Sequence, residues 1–107
     1  GNVQQMIANN LTGAPDIRDR PAEFAAREAT PKSQLLGRLV MVVEQSCNAI
    51  RGASDERLCQ VTLVNKNNLS GLEAAVRSIA HFRGHTQEII HMTRTILGEK
   101  YQYAGPK

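Results

Sequence analysis

The chain opens with a helical pattern of apolar residues. In residues 2 to 12 the apolar positions recur three and four residues apart, and they are Val3, Met6, Ile7 and Leu11. Gly13 follows directly, and glycine is a common residue just past the end of a helix. The pattern predicts a helix over residues 2 to 12. It has no capping residue before it, so it resembles the end of a longer helix.

A second helix is predicted over residues 31 to 51. Thr30 followed by Pro31 is typical of a helix start, and Gly52 follows the last apolar position. More than one face of this helix is apolar, so we expect it to contact two neighbours. The stripe consists of Leu36, Leu39, Val40, Val43, Cys47 and Ile50, and it is widened by Leu35, Met41 and Val42.

The last and longest helix is predicted to start near Asn68 or Ser70 and to reach Leu97, where Gly98 stops it. At 100° per residue, more than half of its circumference is apolar. The arc is formed by Leu72, Ala75, Val76, Ile79, Phe82, Ile89, Ile90, Ile96 and Leu97.

The segments between these helices are shorter and more polar. Asp19 and Pro21 can open a short helix that carries Phe24. Residues 54 to 60 can form one capped turn, and we interpret residues 61 to 68 as a connector from which no sheet is built.

Composition and charge narrow the fold class and the partners. A chain of 107 residues makes one domain at most, spanning residues 1 to 107. With 41% apolar residues, 4% aromatics and no tryptophan, the interior must be aliphatic, which favours helices packed on helices. The net charge is +3, but the basic residues never form a run of three. We therefore expect an all-α domain and no nucleic-acid partner.

Cysteine spacing and hydropathy set the expected compartment. Cys47 and Cys59 have no C-x-x-C spacing, so neither a disulfide framework nor a zinc knuckle is indicated. No segment approaches the ~20 continuous apolar residues of a membrane span, and the N-terminus lacks a signal-peptide pattern. The expectation is a cytoplasmic protein without a membrane partner. Cys47 lies on an apolar stripe, which predicts a buried thiol. "YQYAGP", residues 101 to 106, is predicted to pack across the end of the bundle.

All three histidines of the chain fall in the last helix. His81 and His85 are four residues apart, so their rings lie on adjacent turns of one face and can present two imidazoles to one ion. Sites for zinc and similar divalent metal ions usually have at least three protein ligands. Glu88 could be a distant ligand or an acceptor behind the ligands, and His91 should face solvent. Two interpretations stay open: a metal site at His81 and His85, or two histidines that only border the core.

The segment "SIAHFRGHTQEIIHMTRTILGEKY" is similar to the closing helix of the DinB-like (YfiT-like) four-helix-bundle proteins, with an H-x-x-x-H pair followed by Gln and aliphatics. "GNVQQMIANNLTGAPDIRDRPAEFAARE" resembles the stretch after that family's second-helix histidine, so the resemblance covers nearly the whole chain. It implies an up-and-down bundle with a nickel or zinc ion held by one second-helix histidine and two from the last helix. His81 and His85 match the latter two. Some relatives are thiol S-transferases or thiol-linked isomerases.

The same resemblance places the remaining histidine three residues before Gly1 and the family's first helix still earlier. We therefore expect a bundle shortened at its N-terminus, with an incomplete metal site and uncovered apolar strips. A trimmed chain, a shortened gene and a first helix from another chain are all compatible with this. A homodimer is expected to cover the strips, and a two-fold axis could join both histidine pairs into one four-histidine site.

Three classes of function stay open at this point. The first is a metal-dependent DinB-like enzyme in which the ion activates a thiol or water. The second is a degenerate bundle that kept the shape and serves as an interaction module. The third is a small-molecule-binding protein that uses a groove between helices. Neither a substrate nor a reaction follows from the sequence, and whether the chain is an enzyme is left open.

Overall fold

The computed structural model describes residues 1–102, which are mostly helical (72%) and form five helices and one small sheet. The predominance of helices confirms the coarse prediction of fold class. The elements are α1, which joins the π-helical Gln4–Asn9 to the α-helical Asn10–Thr12, α2 (Arg20–Ala25), α3 (Lys32–Gly52), α4 (Asp55–Cys59), β1 (Val61–Val64), β2 (Asn67–Ser70) and α5 (Gly71–Leu97), followed by a 3₁₀ turn, Gly98–Lys100.

The first helix, α1, is the most enclosed helix of the fold. Helical backbone covers residues 2 to 12, as the apolar spacing predicts, and Gly13 ends it in the left-handed conformation with φ 75°. Four consecutive residues, 5 to 8, are buried, so α1 is covered on more than one side. It contacts α3 along one side and α5 along the other. The two longest helices are therefore held apart by α1.

The starts of α3 and α5 differ in how they are capped. At α5, the Ser70 hydroxyl accepts from the Glu73 backbone N–H (3.1 Å), and the Glu73 carboxylate accepts from the Ser70 N–H (2.8 Å). This is a capping box, and it fixes the start near the predicted residue. In contrast, α3 starts at Lys32, one residue after the predicted start at Pro31, and has no side-chain cap.

The short helices α2 and α4 begin at side-chain caps that the sequence predicts. Asp19 accepts a hydrogen bond from the Ala22 N–H (2.9 Å), and Ser54 accepts one from the Arg57 N–H (3.2 Å). Each cap satisfies a backbone donor that the helix itself leaves free. The predictions of a short helix near Phe24 and of a capped turn in 54 to 60 are confirmed.

Strands β1 and β2 form an antiparallel hairpin where a connector was expected, so the prediction of no sheet in residues 61 to 68 is wrong. The register pairs Val61 with Ser70 and Val64 with Asn67. The two linking residues both have positive φ, 47° and 67°, as a type I′ turn requires. They are Asn65 and Lys66, and lysine is an unusual residue in that conformation. A hairpin this small is held by packing its buried Leu69 on the helices.

The core lies where α1, the hairpin, the end of α3 and the beginning of α5 meet. Gly71 is essential to this packing, because a Cβ there would stand 2.8 Å from Leu11 Cδ2 and 2.9 Å from the Arg57 carbonyl oxygen. The absence of a side chain lets α1 and α4 approach the start of α5. The buried apolar cluster consists of Met6, Ile7, Leu11, Ala49, Val64, Leu69, Ala74 and Ala75.

A second apolar surface, on α3 and α5, is exposed. It runs along one stripe of each helix on either side of α1, and we term it the open face: Leu36, Val40, Val43 and Ile50 of α3, and Leu72, Val76 and Ile79 of α5. The radius of gyration, 16.1 Å, exceeds the about 13 Å usual for this length. The accessible surface, 8473 Å², exceeds the area usual for this mass by about 2,600 Å². The structure therefore confirms the expected uncovered strips.

Within residues 1–102, no helix combines the length and the apolar character that crossing a bilayer would take. The tail is described as far as residue 102. In this part, the Arg94 guanidinium lies 5.1 Å from the centre of the Tyr101 ring. The rest of the predicted tail packing, residues 103 to 106, lies outside the described range.

Candidate functional site

The structure brings His81 and His85 together on adjacent turns of α5, as their spacing predicts. The ring centroids are 4.3 Å apart, with the planes at 85°, and the two Nε2 atoms are 3.1 Å apart. Both side chains are exposed. The pair therefore lies at the surface of α5, and both interpretations, a metal site or two histidines that border the core, stay open.

The separation of the two Nε2 atoms suits one metal ion. Zinc binds imidazole nitrogen at ~2.0–2.1 Å. Two nitrogens 3.1 Å apart would therefore form an N–metal–N angle of about 100° at an ion equidistant from both. Tetrahedral and octahedral sites both use angles near this value. The same distance also fits a hydrogen bond in which one Nε2–H donates to the other Nε2.

Glu88 lies behind His85 rather than beside the two Nε2 atoms. Its Oε2 is 2.6 Å from His85 Nδ1, and both side chains are exposed. The carboxylate accepts the Nδ1–H, which leaves the Nε2 lone pair of a neutral His85 free to face His81. Carboxylates in this position orient a metal-binding imidazole and raise its basicity. Of the two roles considered for Glu88, the geometry selects that of an acceptor behind the ligand.

Two nitrogens are fewer than the three protein donors usual for zinc. Among residues 1–102, no group of three or more His, Cys, Asp and Glu side chains is arranged to hold a metal ion. His91 is exposed, as predicted for a residue on a different side of α5. Gly1 and Asn2 line the space beside the histidine pair. This is the end of α1 nearest the position where the family resemblance expects the remaining histidine.

Two adjoining cavities meet at the histidine pair. One, of about 290 Å³, lies between α1, α3 and α5, and its wall is largely apolar: Val3, Leu35, Leu39, Val42 and Phe82, with Arg38 at its edge. The other, of about 370 Å³, is polar and is formed largely by α2 and the segment before it: Arg18, Arg20, Glu23 and Phe24, with Asn65 from the hairpin turn. The sequence does not predict that α2 lies near the histidines, because its link to α1 has no apolar periodicity.

Electrostatics in the polar cavity centre on Glu23. Arg18 donates to its carboxylate through Nη2 (2.7 Å) and Nε (3.0 Å) and donates a third hydrogen bond to Gln5 (3.1 Å). These bonds to Arg18 are the main reason that the pKa of Glu23 is lowered, and the charges of the N-terminal ammonium and Arg38 lower it further. Arg18 therefore forms an ion pair with Glu23, and Arg38 lies within electrostatic range of the same carboxylate.

A third cavity follows the open face. It has a volume of about 170 Å³ and lies between α3 and α5, with α1 as its floor. Cys47 lines it and is half-buried, so the predicted burial of this thiol is only partial, while Cys59 is exposed. The lining is apolar except for two serine residues: Val3, Ile7, Val43, Ser46, Cys47, Ile50, Ser78, Ile79 and Phe82.

Comparison of the chain with protein-family models, with curated proteins and with solved structures finds no match in any of the three. The DinB-like family is therefore an expectation that rests on the sequence motif. The geometry of the histidine pair is independent of that expectation.

Proposed function

We propose that this chain is a DinB-like helical-bundle protein that binds one divalent ion, nickel or zinc, through His81 and His85. The observation that carries the proposal is the 3.1 Å separation of the two Nε2 atoms. Glu88 supports it by holding His85 in the tautomer whose Nε2 can bind an ion. The pair also opens onto two cavities, so an ion there is accessible to a ligand.

The third ligand of the metal ion is a residue other than His81 and His85 of the same chain. One source is a residue next to the start of α1, because Gly1 and Asn2 line the cavity. The other is a second copy of the chain. When bound, the ion supplies a Lewis acid that activates a thiol or a water molecule, which is the chemistry of the thiol-transferase relatives that the resemblance implies. The chain's own part is to hold the imidazoles and to shape the cavities around them.

Metal analysis of protein purified without a histidine tag tests this proposal. After loading with nickel and dialysis, we expect one ion per chain, or one per two chains if two copies share a four-histidine site. His81→Ala and His85→Ala should each abolish retention. His91→Ala, in the same helix but away from the pair, is the matched control and should retain the ion. Absence of nickel from the loaded wild-type protein would contradict the proposal, as would equal loss in His91→Ala.

A second copy of the chain covers the open face in this proposal. The stripe on α3 carries no charged residue and faces the stripe on α5 across the groove. The excess surface of about 2,600 Å² is about three times the ~800 Å² that each partner buries in a standard interface. Two helices from each copy would give four packed helices, a common stable arrangement. The groove along the open face and the cavity beside the histidine pair are neighbours, since Val3 and Phe82 line both.

Hydrogen exchange at two protein concentrations locates this interface. Peptides from α3 and from residues 72 to 79 should exchange more slowly at about 100 µM than at about 1 µM, because covered helices open less often. The hairpin, whose Leu69 is already buried within one copy, should exchange equally at both. Equal exchange of α3 at the two concentrations would contradict a dimer through the open face.

A second candidate function is a dimeric interaction or small-molecule-binding module without catalysis. The observation that favours it is the apolar groove of about 170 Å³ between α3 and α5. Retention of no metal, together with concentration-dependent protection of α3, would select this function over the first.

A further inference from the structure

We infer that the cavities beside His81 and His85 bind a small carboxylate that carries an apolar group, with the carboxylate held by Arg38 and Arg20. The inference rests on the proposed function in that it places this molecule next to the metal ion. It adds the chemical class of the molecule that the same site takes.

The charged residues around the two cavities are unbalanced. Three arginines and one glutamate line them: Arg18, Arg20, Arg38 and Glu23. Arg18 and Glu23 neutralise each other through a two-pronged contact, with Nη2–Oε2 at 2.7 Å. In the part of the chain that the structure describes, neither Arg20 nor Arg38 has a carboxylate within ion-pair distance. Two positive charges therefore face the cavities without an acidic partner, and a metal ion at the histidines would add to them.

The other carboxylate near the histidines does not cancel this charge. Glu88 contacts His85 through Nδ1, the nitrogen on the ring edge away from the His81 Nε2. It does not line either cavity. Glu23 is the one carboxylate among the lining residues of the two cavities, and its charge is already paired with Arg18. No unpaired carboxylate among these residues would therefore repel an anion that enters between the arginines.

Arg20 is positioned for such a contact. Its guanidinium lies over the Phe24 ring at 5.1 Å, and this stacking restricts the long side chain while leaving the N–H edges free. A guanidinium presents two parallel donors that match a carboxylate. Arg38, on α3, lines the adjoining cavity, and its charge acts on Glu23 in the polar cavity, whose pKa it lowers.

The apolar wall of the first cavity accounts for the second part of the molecule. Leu35, Leu39 and Phe82 line it next to Arg38 and the histidine pair. About 290 Å³ is room for a group the size of an aromatic ring. A charged end at the arginines and an apolar end at Phe82 together orient the molecule across the two histidine Nε2 atoms.

Benzoate is a suitable probe, with benzamide as its uncharged analogue of the same shape. Each is titrated into the full chain after removal of metal with a chelator, and binding is followed by amide chemical shifts. We expect benzoate to bind about tenfold more tightly than benzamide, since a charge-assisted hydrogen bond is the main difference between them. Arg38→Gln and Arg20→Gln should each remove most of this preference. Arg51→Gln, at the other end of α3, is the matched control and should keep it.

Equal binding of benzoate and benzamide would overturn the inference, as would an equal loss in the Arg51→Gln control. Glu88→Ala, which changes a residue that lines neither cavity, separates it from the proposed metal function. This variant should bind nickel about tenfold more weakly and still prefer benzoate in the metal-free state. A wild-type protein that retains nickel but shows no preference for benzoate, with or without nickel, would refute the carboxylate site alone. One that prefers benzoate but retains no nickel would refute the metal site alone.

Discussion

The core and the open face both include residues of α3 and α5, yet only the core is closed. In the core, Ala74 of α5 is 0% exposed and Leu69 of β2 is 3% exposed. On the open face, Val76 of the same helix is more than half exposed. The difference lies in the neighbours, because α1 and the hairpin cover one side of α5 and no residue of the described range, 1–102, covers the other. A helix with two apolar sides therefore needs two partners, and one copy supplies one.

The largest expected effect is on the core. Leu69→Ala should lower the free energy of unfolding by about 2–5 kcal/mol, because it removes buried methyl groups and leaves a cavity. Leu63→Ala, on the neighbouring strand at 73% exposure, is the control and should change it by less than about 0.5 kcal/mol. Chemical denaturation measures both. Equal effects of the two substitutions would mean that the hairpin is not packed as described.

A substitution on the open face should weaken association of two copies and leave the fold of each copy unchanged. Val40→Glu places a charge on an exposed stripe, so it should weaken association of two copies by about a hundredfold, the cost of burying an unpaired charge in an interface. Far-UV circular dichroism should show the same helix content as in the wild-type protein. Sedimentation equilibrium gives the association constant. Glu44→Gln, on the same helix outside the stripe, is the control, and an unchanged constant in Val40→Glu would exclude this face as the interface.

A third ligand for the proposed metal site can be supplied by extending the chain before α1. Adding His-Ala-Ala before Gly1 should tighten nickel binding by about a hundredfold, since a third imidazole on the same chain acts at high effective concentration. Extension with Ala-Ala-Ala is the control. Calorimetric titration measures both affinities. No gain from the histidine extension would show that the third donor does not approach from the start of α1.

Loss of the contact between Glu88 and His85 Nδ1 should have a smaller effect on nickel binding. Glu88→Ala should weaken nickel binding by about tenfold, because His85 would lose the carboxylate that orients it. Gln87→Ala, the adjacent position in the same helix, should leave the affinity unchanged. If both variants bind nickel as tightly as the wild-type protein, Glu88 has no role at the site.

The smallest effect concerns the pH dependence of stability through Glu23. The folded-state pKa of this carboxyl lies below its ordinary value of 4.5 because of hydrogen bonds from Arg18. Its contribution is therefore present above that ordinary value and is lost as pH falls through the lowered folded-state pKa. The side chain is 37% exposed, so we expect less than about 1 kcal/mol. Unfolding of Glu23→Gln should differ from wild type at pH 7, and the difference should shrink at pH 3; a constant difference would contradict this.

The sequence predicted the helices well because their signals are local. Apolar spacing located α1, α3 and α5, and the glycines at 13 and 98 located two of the ends. The hairpin was missed because its turn, Asn65 and Lys66, lacks the glycine that usually marks a type I′ turn. Local signals also placed His81 and His85 on one face.

What the sequence could not predict is non-local. The approach of α2 to the histidine pair brings Arg18 and Arg20 next to residues about sixty positions later in the chain. It depends on the hydrogen bonds that Asp16 and Arg18 share with Gln5 of α1, contacts that no periodic pattern encodes. Glu88 was recognised as a candidate, but its choice between ligand and acceptor needed the distance to His85 Nδ1.

The most direct test of the central claim, that a second copy covers the open face, is the mass of the protein in solution. Light scattering across a size-exclusion peak at micromolar concentration should give twice the 11.8 kDa of one chain. A mass of one chain at that concentration, with the helices intact, would contradict the account.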